Sequence, residues 1–171
     1  MDFIKRMIKD WAIPIIIAVV LALLVKQFLF FLVSVPTGSM YPTIKEGDRI
    51  FVTRVHNVNN LKRGDIVVFY SKELGKPLIK RLIGLPNEKV EIKKDGSVYI
   101  NGKKLLEPYV KEKSDKTGDF QVPDSEYLFL GDNRTNSYDS RYWQDPYISK
   151  DQIQGKAYFI IYPFNRIGML K

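Results

Sequence analysis

The sequence predicts a mainly β protein, in which an antiparallel β domain follows one N-terminal transmembrane helix. Two observations support this fold class. One long apolar run lies near the N-terminus, and beyond it short β-branched and aromatic stretches alternate with tight turns. The length of 171 residues suits about one folded domain, and the ordinary globular composition argues against a disordered or fibrous chain.

The N-terminal segment has the pattern of a retained membrane anchor. Basic residues within the first ten positions precede an apolar run from Ala12 to Val25, and flanking apolar residues extend the predicted span to 8–28. This extended span supplies the ~20 residues that a bilayer requires. A cleavable signal peptide is the alternative, but the run is long and no small-x-small site follows it. The excess of basic residues before the span predicts a cytoplasmic N-terminus, with the remainder on the outer face of the cell membrane.

The β pattern begins where the anchor ends. Asn101-Gly102 is a strong hairpin signal between two short strands. The polar, Lys-rich stretch 107–123 is predicted to be a long loop, and one short helix is expected near 149–154. Strands are predicted at 28–35, 49–53, 65–70, 76–84, 89–93, 97–100, 103–106, 126–130 and 157–162.

Ser39 is a candidate nucleophile because of its neighbours. Gly38 precedes it, and Pro36 and Pro42 lie on either side, which predicts a stiff turn that exposes the hydroxyl. An exposed serine on a rigid loop suits covalent catalysis. An ordinary Gly-Ser turn is the competing interpretation.

A nucleophilic serine needs a base, and the chain offers two candidates. His56, the one histidine, lies in a polar stretch that is predicted to be a surface loop. Lys80 shares a strand face with Leu78 and Leu82, and burial there would favour the neutral amine that a general base requires. The alternative is that Lys80 extends to water. Without cysteine or a second histidine, a His/Cys metal site is not expected.

Three motifs occur in order along the chain, and together with the anchor they resemble the bacterial type I signal peptidases (leader peptidases), a family of serine–lysine dyad peptidases. The motifs are GSMYPT at 38–43, KRLIG at 80–84 and GDNRTNSYDSR at 131–141. The resemblance covers nearly the whole chain. It implies an antiparallel β catalytic domain over 29–171 after the segment 1–28, with 88–122 as a small remnant of a subdomain that larger members insert.

The resemblance also implies residue roles. Ser39 would be the nucleophile and Lys80 its general base. The Ser39 backbone N–H and the Thr37 hydroxyl would bind the oxyanion, although many relatives have serine at the latter position. Ser137 would hydrogen-bond to Lys80 and orient it. A supporting network of ion pairs is expected from the charged residues of the third motif: Asp132, Arg134, Asp139 and Arg141.

The implied substrate is an exported preprotein with an Ala-x-Ala-like cleavage site. Such a peptide would bind as an added strand, and its small side chains imply shallow apolar pockets. Candidates for the pocket walls are Val33, Val35, Met40, Ile44 and Ile79.

Residues 28–171 carry 23 Lys and Arg against 17 Asp and Glu, and this net charge of +6 suits an anionic membrane surface, so membrane lipid is an expected partner. Nucleic acid is not expected, because no recognised binding motif accompanies the basic charge. We expect a monomer without a cofactor. Two other functions stay open: an anchored binding or scaffold domain derived from a peptidase, and a self-cleaving serine–lysine regulator, which would need a DNA-binding module where the anchor lies.

Overall fold

The computed structural model describes residues 8–170, and it consists of an N-terminal helix followed by two antiparallel sheets. The predicted mainly β, antiparallel fold with one N-terminal helical segment is therefore confirmed. The basic residues Lys5 and Arg6, on which the predicted orientation partly depends, lie outside the described residues.

The helical segment starts with a π-helical turn, Ile8–Ala12, and continues as helix α1, Ile13–Phe28. Pro14 is tolerated in the first turn, where backbone N–H groups have no partner within the helix. The apolar side chains of α1 are largely exposed. Within residues 8–170, no helix is long and apolar enough to cross a membrane, so the transmembrane part of the prediction is not shown.

Twelve strands follow in the described chain. Their bounds are β1 Phe30–Ser34, β2 Arg49–Arg54, β3 Ile66–Ser71, β4 Lys76–Gly84, β5 Lys89–Ile92, β6 Val98–Ile100, β7 Lys103–Lys104, β8 Gly118–Gln121, β9 Glu126–Leu130, β10 Tyr147–Ser149, β11 Ile153–Tyr162 and β12 Gly168–Met169.

The larger sheet has the order β1-β2-β11-β3-β4-β9-β10, with β12 added to β11. Strand β1 lies at its edge and pairs with β2, so that Val33 is opposite Ile50. Strand β4 pairs with β3 over 76–81 and with β9 over 81–84. The part of β4 before Arg81 therefore has a ladder partner on one side only within the described chain.

The smaller sheet, β7-β6-β5-β8, is formed by residues between 89 and 121. Asn101 and Gly102 both have positive φ, as the predicted Asn-Gly hairpin requires. Strand β8 corrects the prediction of a continuous loop over 107–123. Its sequence, GDFQ, has little β-branched character, and its pairing with β5, which places Phe120 opposite Val90, gives it the strand conformation.

The C-terminal third also differs in detail from the predicted elements. The short helix expected near 149–154 is a 3₁₀ turn, Lys150–Gln152, and β11 begins directly after it at Ile153. Strand β10 was not predicted, because its three residues are too few to show a period.

Candidate active site

The turn that carries Ser39 follows β1 and is held against the core by its own apolar side chains. The Tyr41 N–H donates to the Gly38 carbonyl at 3.0 Å, and the Ile44 N–H donates to the Met40 carbonyl at 2.9 Å. Met40 and Ile44 are completely buried in the core beneath the turn. The structure therefore corrects the prediction that these two residues line the substrate pocket: they fix the turn from below.

Ser39 and Lys80 meet although 41 residues separate them in sequence. The Lys80 amine lies 2.5 Å from Ser39 Oγ. Both side chains are buried, with exposed fractions of 8% for Ser39 and 3% for Lys80. Lys80 lies on β4 opposite Val67 of β3, so the ladder of the large sheet fixes its backbone.

The surroundings of Lys80 change its protonation. Burial lowers the pKa of Lys80 to about 8, from an ordinary value of 10.5. The carboxylates of Asp139 and Asp132 oppose this shift, because they favour the ammonium form, and the Arg141 guanidinium adds to it. A useful fraction of the amine is therefore neutral near neutral pH, as proton abstraction from a serine requires.

The third motif, 131–141, packs directly against the serine turn. The Asn133 backbone N–H donates to the Ser39 carbonyl at 3.1 Å, and the Asn133 side-chain amide donates to the Gly38 carbonyl at 3.0 Å. A Cβ on Gly131 would overlap the Ser39 carbonyl and Ser137 Oγ, so this position needs glycine for the close approach of the two segments.

Ser137 is near the pair but does not bond to the lysine. Its side chain is 5% exposed, and Oγ has no hydrogen-bond partner in the described structure. The hydrogen bond predicted between Ser137 and Lys80 is therefore absent here. A buried hydroxyl without a partner is uncommon, and its position against Gly131 and Ser39 keeps it close to the site.

The four charged residues of the third motif form buried ion pairs, but two of the partners lie outside the motif. Asp139 pairs with Arg141, whose Nε donates at 2.8 Å. Asp132 accepts two hydrogen bonds from Arg81, at 2.8 and 2.7 Å.

The fourth charged residue, Arg134, pairs with Glu107 at 2.6 Å. Arg81 directly follows Lys80 in the second motif, so its involvement could have been anticipated. Glu107 lies in the stretch predicted to be a loop, and no local signal points to it.

An apolar cleft of about 470 Å³ opens beside the serine and the lysine, between the edge of β1 and the first half of β4. Three of the five predicted pocket residues line it, namely Val33, Val35 and Ile79, and Thr37 lies exposed on its wall. The remaining lining residues are Phe31, Leu32, Ser34, Pro36, Ser39, Val68, Lys76, Pro77, Leu78, Lys80 and Gln154.

His56 is exposed, and its Nε2 lies 3.0 Å from the Phe28 carbonyl oxygen at the end of α1. It is absent from the lining of the cleft. No cluster of three or more His, Cys, Asp or Glu side chains that could hold a metal ion occurs in residues 8–170.

We expect His56→Ala to leave the turnover of a peptide substrate within about twofold of the wild-type rate, since a general base contributes about a hundredfold or more. The measurement is kcat/KM at pH 7 and pH 9, with the melting temperature as a check on folding. A loss above a hundredfold in a folded variant would restore histidine as the base.

A serine hydroxyl in contact with a buried amine, at the side of an apolar cleft, is the arrangement of a serine peptidase. Comparison with known proteins defines the class more narrowly. Residues 8–162 match the family model described as "Signal peptidase, peptidase S26".

The chain is 44% identical to signal peptidase I T of Bacillus subtilis over 95% of this chain and 89% of that protein. It is 43% identical to a signal peptidase I of Bacillus licheniformis over 95% of this chain and 93% of that protein. A crystal structure of a signal peptidase I from Enterococcus faecalis is 36% identical, with a TM-score of 0.49, and covers 58% of this chain and 98% of that one. The chain belongs to the signal peptidase family of bacterial type I enzymes, and it is a hydrolase, a serine endopeptidase.

Proposed function

We propose that this enzyme removes N-terminal signal peptides from exported preproteins, cleaving after Ala-x-Ala-like sites with a dyad of Ser39 and Lys80. The 2.5 Å contact between the serine hydroxyl and a buried lysine of lowered pKa is the observation that carries the proposal. The names of the relatives support the same substrate class.

In the proposed mechanism, Ser39 Oγ attacks the carbonyl carbon of the scissile bond while neutral Lys80 accepts the hydroxyl proton. The tetrahedral oxyanion is stabilised by the Ser39 backbone N–H and by the hydroxyl of Thr37, a residue that also lines the cleft. Lys80 then gives its proton to the leaving amine. In the second step Lys80 takes a proton from a water molecule, which attacks the acyl-enzyme and releases Ser39.

Two exposed strand edges support binding of the substrate as an added strand. Strand β1 is the edge of the large sheet, and β4 lacks a second ladder partner before Arg81 in the described chain. Both edges border the cleft. An extended peptide between them would form backbone hydrogen bonds, which give affinity without dependence on side chains.

The cleft walls favour small substrate side chains. Val33, Val35 and Ile79 are branched apolar residues that line the same cleft as Ser39. Alanine side chains at alternate positions fit beside such walls, whereas larger side chains would overlap them. This is our basis for an Ala-x-Ala-like preference.

We further propose that segment 1–28 attaches the enzyme to the membrane, with the catalytic domain on the outer face of the cell. The largely exposed apolar surface of α1 supports this, because such a surface is costly to leave in water. The exposed Phe28, Leu29 and Leu32 continue it onto the catalytic domain. Membrane lipid is then a partner, the working form is a monomer, and nucleic acid has no part in the function.

Deleting residues 1–27 is expected to leave a domain that cleaves a soluble signal-peptide substrate in detergent, because the motifs and both sheets lie beyond that point. Without detergent the fragment should aggregate through Phe28–Leu32. Light scattering and peptide cleavage, each with and without detergent, test this. A folded fragment that is inactive on every peptide would show that the anchor forms part of the site.

The experiment that tests the proposed function is incubation of the purified full-length enzyme with a labelled preprotein, with the new N-terminus identified by sequencing. Cleavage after the small-x-small site is expected, and an otherwise identical preprotein with bulky residues at those two positions should remain intact. A scaffold domain would cleave neither preprotein, and a self-cleaving regulator would cleave itself instead.

A further inference from the structure

The second motif, 80–84, and the third motif, 131–141, are both contacted by one segment that lies outside them. The segment 107–110 belongs to the connection between β7 and β8 of the small sheet. Two of its side chains contact one arginine in each of these motifs. Glu107 binds Arg134 of the third motif through two hydrogen bonds, at 2.6 and 3.1 Å. The Tyr109 ring lies 3.8 Å from the guanidinium of Arg81, the neighbour of Lys80.

The two contacts are joined to each other. The Tyr109 hydroxyl donates a hydrogen bond to Glu107 at 3.0 Å. Burial, together with the nearby Glu107 carboxylate, raises the pKa of Tyr109 above its ordinary value, so the hydroxyl keeps its proton and remains a donor. Arg134 is buried and Glu107 is half-buried, with side-chain exposed fractions of 3% and 9%, so their ion pair is largely shielded from salt.

Both arginines are connected to the serine turn by hydrogen bonds. Arg81 binds Asp132, and Asp132 accepts a hydrogen bond from the Thr43 hydroxyl at 2.5 Å, at the end of the turn that Ser39 begins. Arg134 donates to the Gly131 carbonyl at 3.0 Å, in the loop whose Asn133 binds Ser39.

We propose that Glu107 and Tyr109 are positioning residues, which hold the Ser39 turn and the Lys80 strand in reactive geometry by clamping Arg134 and Arg81. The small sheet then has a function in the reaction, because it presents this clamp. The expected effect of these contacts on turnover rests on the proposed function. Their expected effect on the order of the serine turn does not depend on any substrate. Misplacement of a reacting group by about 1 Å can cost about a hundredfold in rate.

Two variants test the clamp. Glu107→Gln removes the carboxylate, and we expect kcat for a soluble signal-peptide substrate to fall about tenfold, with KM within about twofold because neither residue lines the cleft. Glu107→Gln leaves the buried Arg134 guanidinium without its carboxylate, which is destabilising in itself. Tyr109→Leu is therefore measured as well, because this second variant removes the ring from Arg81 and changes no charge. Glu112→Gln is the matched control: it is exposed on the same stretch, 3.5 Å from Thr135, and should keep the wild-type kcat.

Hydrogen–deuterium exchange provides a measurement that needs no substrate. In both clamp variants, peptides covering 38–44 and 131–134 should lose protection relative to the wild type, while peptides from β11 keep theirs. A lower melting temperature with unchanged kcat and unchanged exchange in 38–44 would overturn the clamp and leave these residues with a structural role only. Failure of the wild type to cleave would instead refute the proposed function, and the exchange data would still decide the clamp.

Discussion

Replacing Ser39 with alanine is expected to abolish cleavage of a preprotein while the protein remains folded. The substitution removes Oγ, the atom that contacts Lys80 at 2.5 Å, and leaves the turn unchanged, because the buried Met40 and Ile44 hold that turn. Loss of a nucleophile that acts as a unit with its base lowers kcat by more than about a thousandfold.

The control for Ser39→Ala is Ser114→Ala, which removes a hydroxyl from the stretch between β7 and β8, where it accepts a bond from the Lys116 N–H. This variant should cleave at the wild-type rate. The measurement is single-turnover cleavage, with circular dichroism to confirm folding. Turnover by Ser39→Ala at a tenth of the wild-type rate would remove Ser39 from the role of nucleophile.

The second large effect is expected at Lys80. Lys80→Met retains the length and apolar character of the side chain but has no base, so it should fold and be inactive. Lys80→Arg should be inactive as well, because a guanidinium stays protonated at every working pH. Lys103→Met, on the exposed strand β7, is the control for loss of one positive charge and should retain activity. Substantial turnover by either Lys80 variant would refute lysine as the base.

Lys80 also links stability to pH. Its pKa is lowered from 10.5 to about 8 in the folded state, so between these values the unfolded chain binds more protons than the folded one. This group therefore makes the free energy of unfolding rise as pH increases from about 8 to 10.5, and below pH 8 its buried charge is a cost to folding. In Lys80→Met this contribution should disappear. Urea unfolding of both proteins at pH 7 and pH 10 measures the difference.

Local sequence patterns were enough to predict much of the fold, whereas the catalytic pair was predicted from the resemblance of three ordered motifs to a known family. Alternating apolar residues predicted most of the strands, and the Asn101-Gly102 pair predicted a hairpin that the structure contains. The local settings of Ser39 and Lys80 made each a candidate, and the order of the three motifs assigned them to one pair. Strand β8 was missed because its conformation depends on pairing with β5 rather than on its own residues.

The site residues that were missed or misplaced depend on long-range packing. Met40 and Ile44 follow Ser39 closely, and only the three-dimensional turn shows that they point into the core rather than the cleft. Glu107 lies 27 residues before its partner Arg134, in a stretch where many charges are exposed. The sequence of this stretch does not distinguish Glu107, which is half-buried, from the exposed carboxylates of Glu112, Asp115 and Asp119.

The pH dependence of kcat/KM for a preprotein tests the serine–lysine account most directly, because it reports the pKa of the base in the free enzyme. With Lys80 as the base, we expect a rate that rises with pH and levels off above a midpoint near 8, the pKa of buried Lys80, with the same profile in His56→Ala. A rising limb that disappears in His56→Ala would contradict the serine–lysine mechanism and make histidine the base.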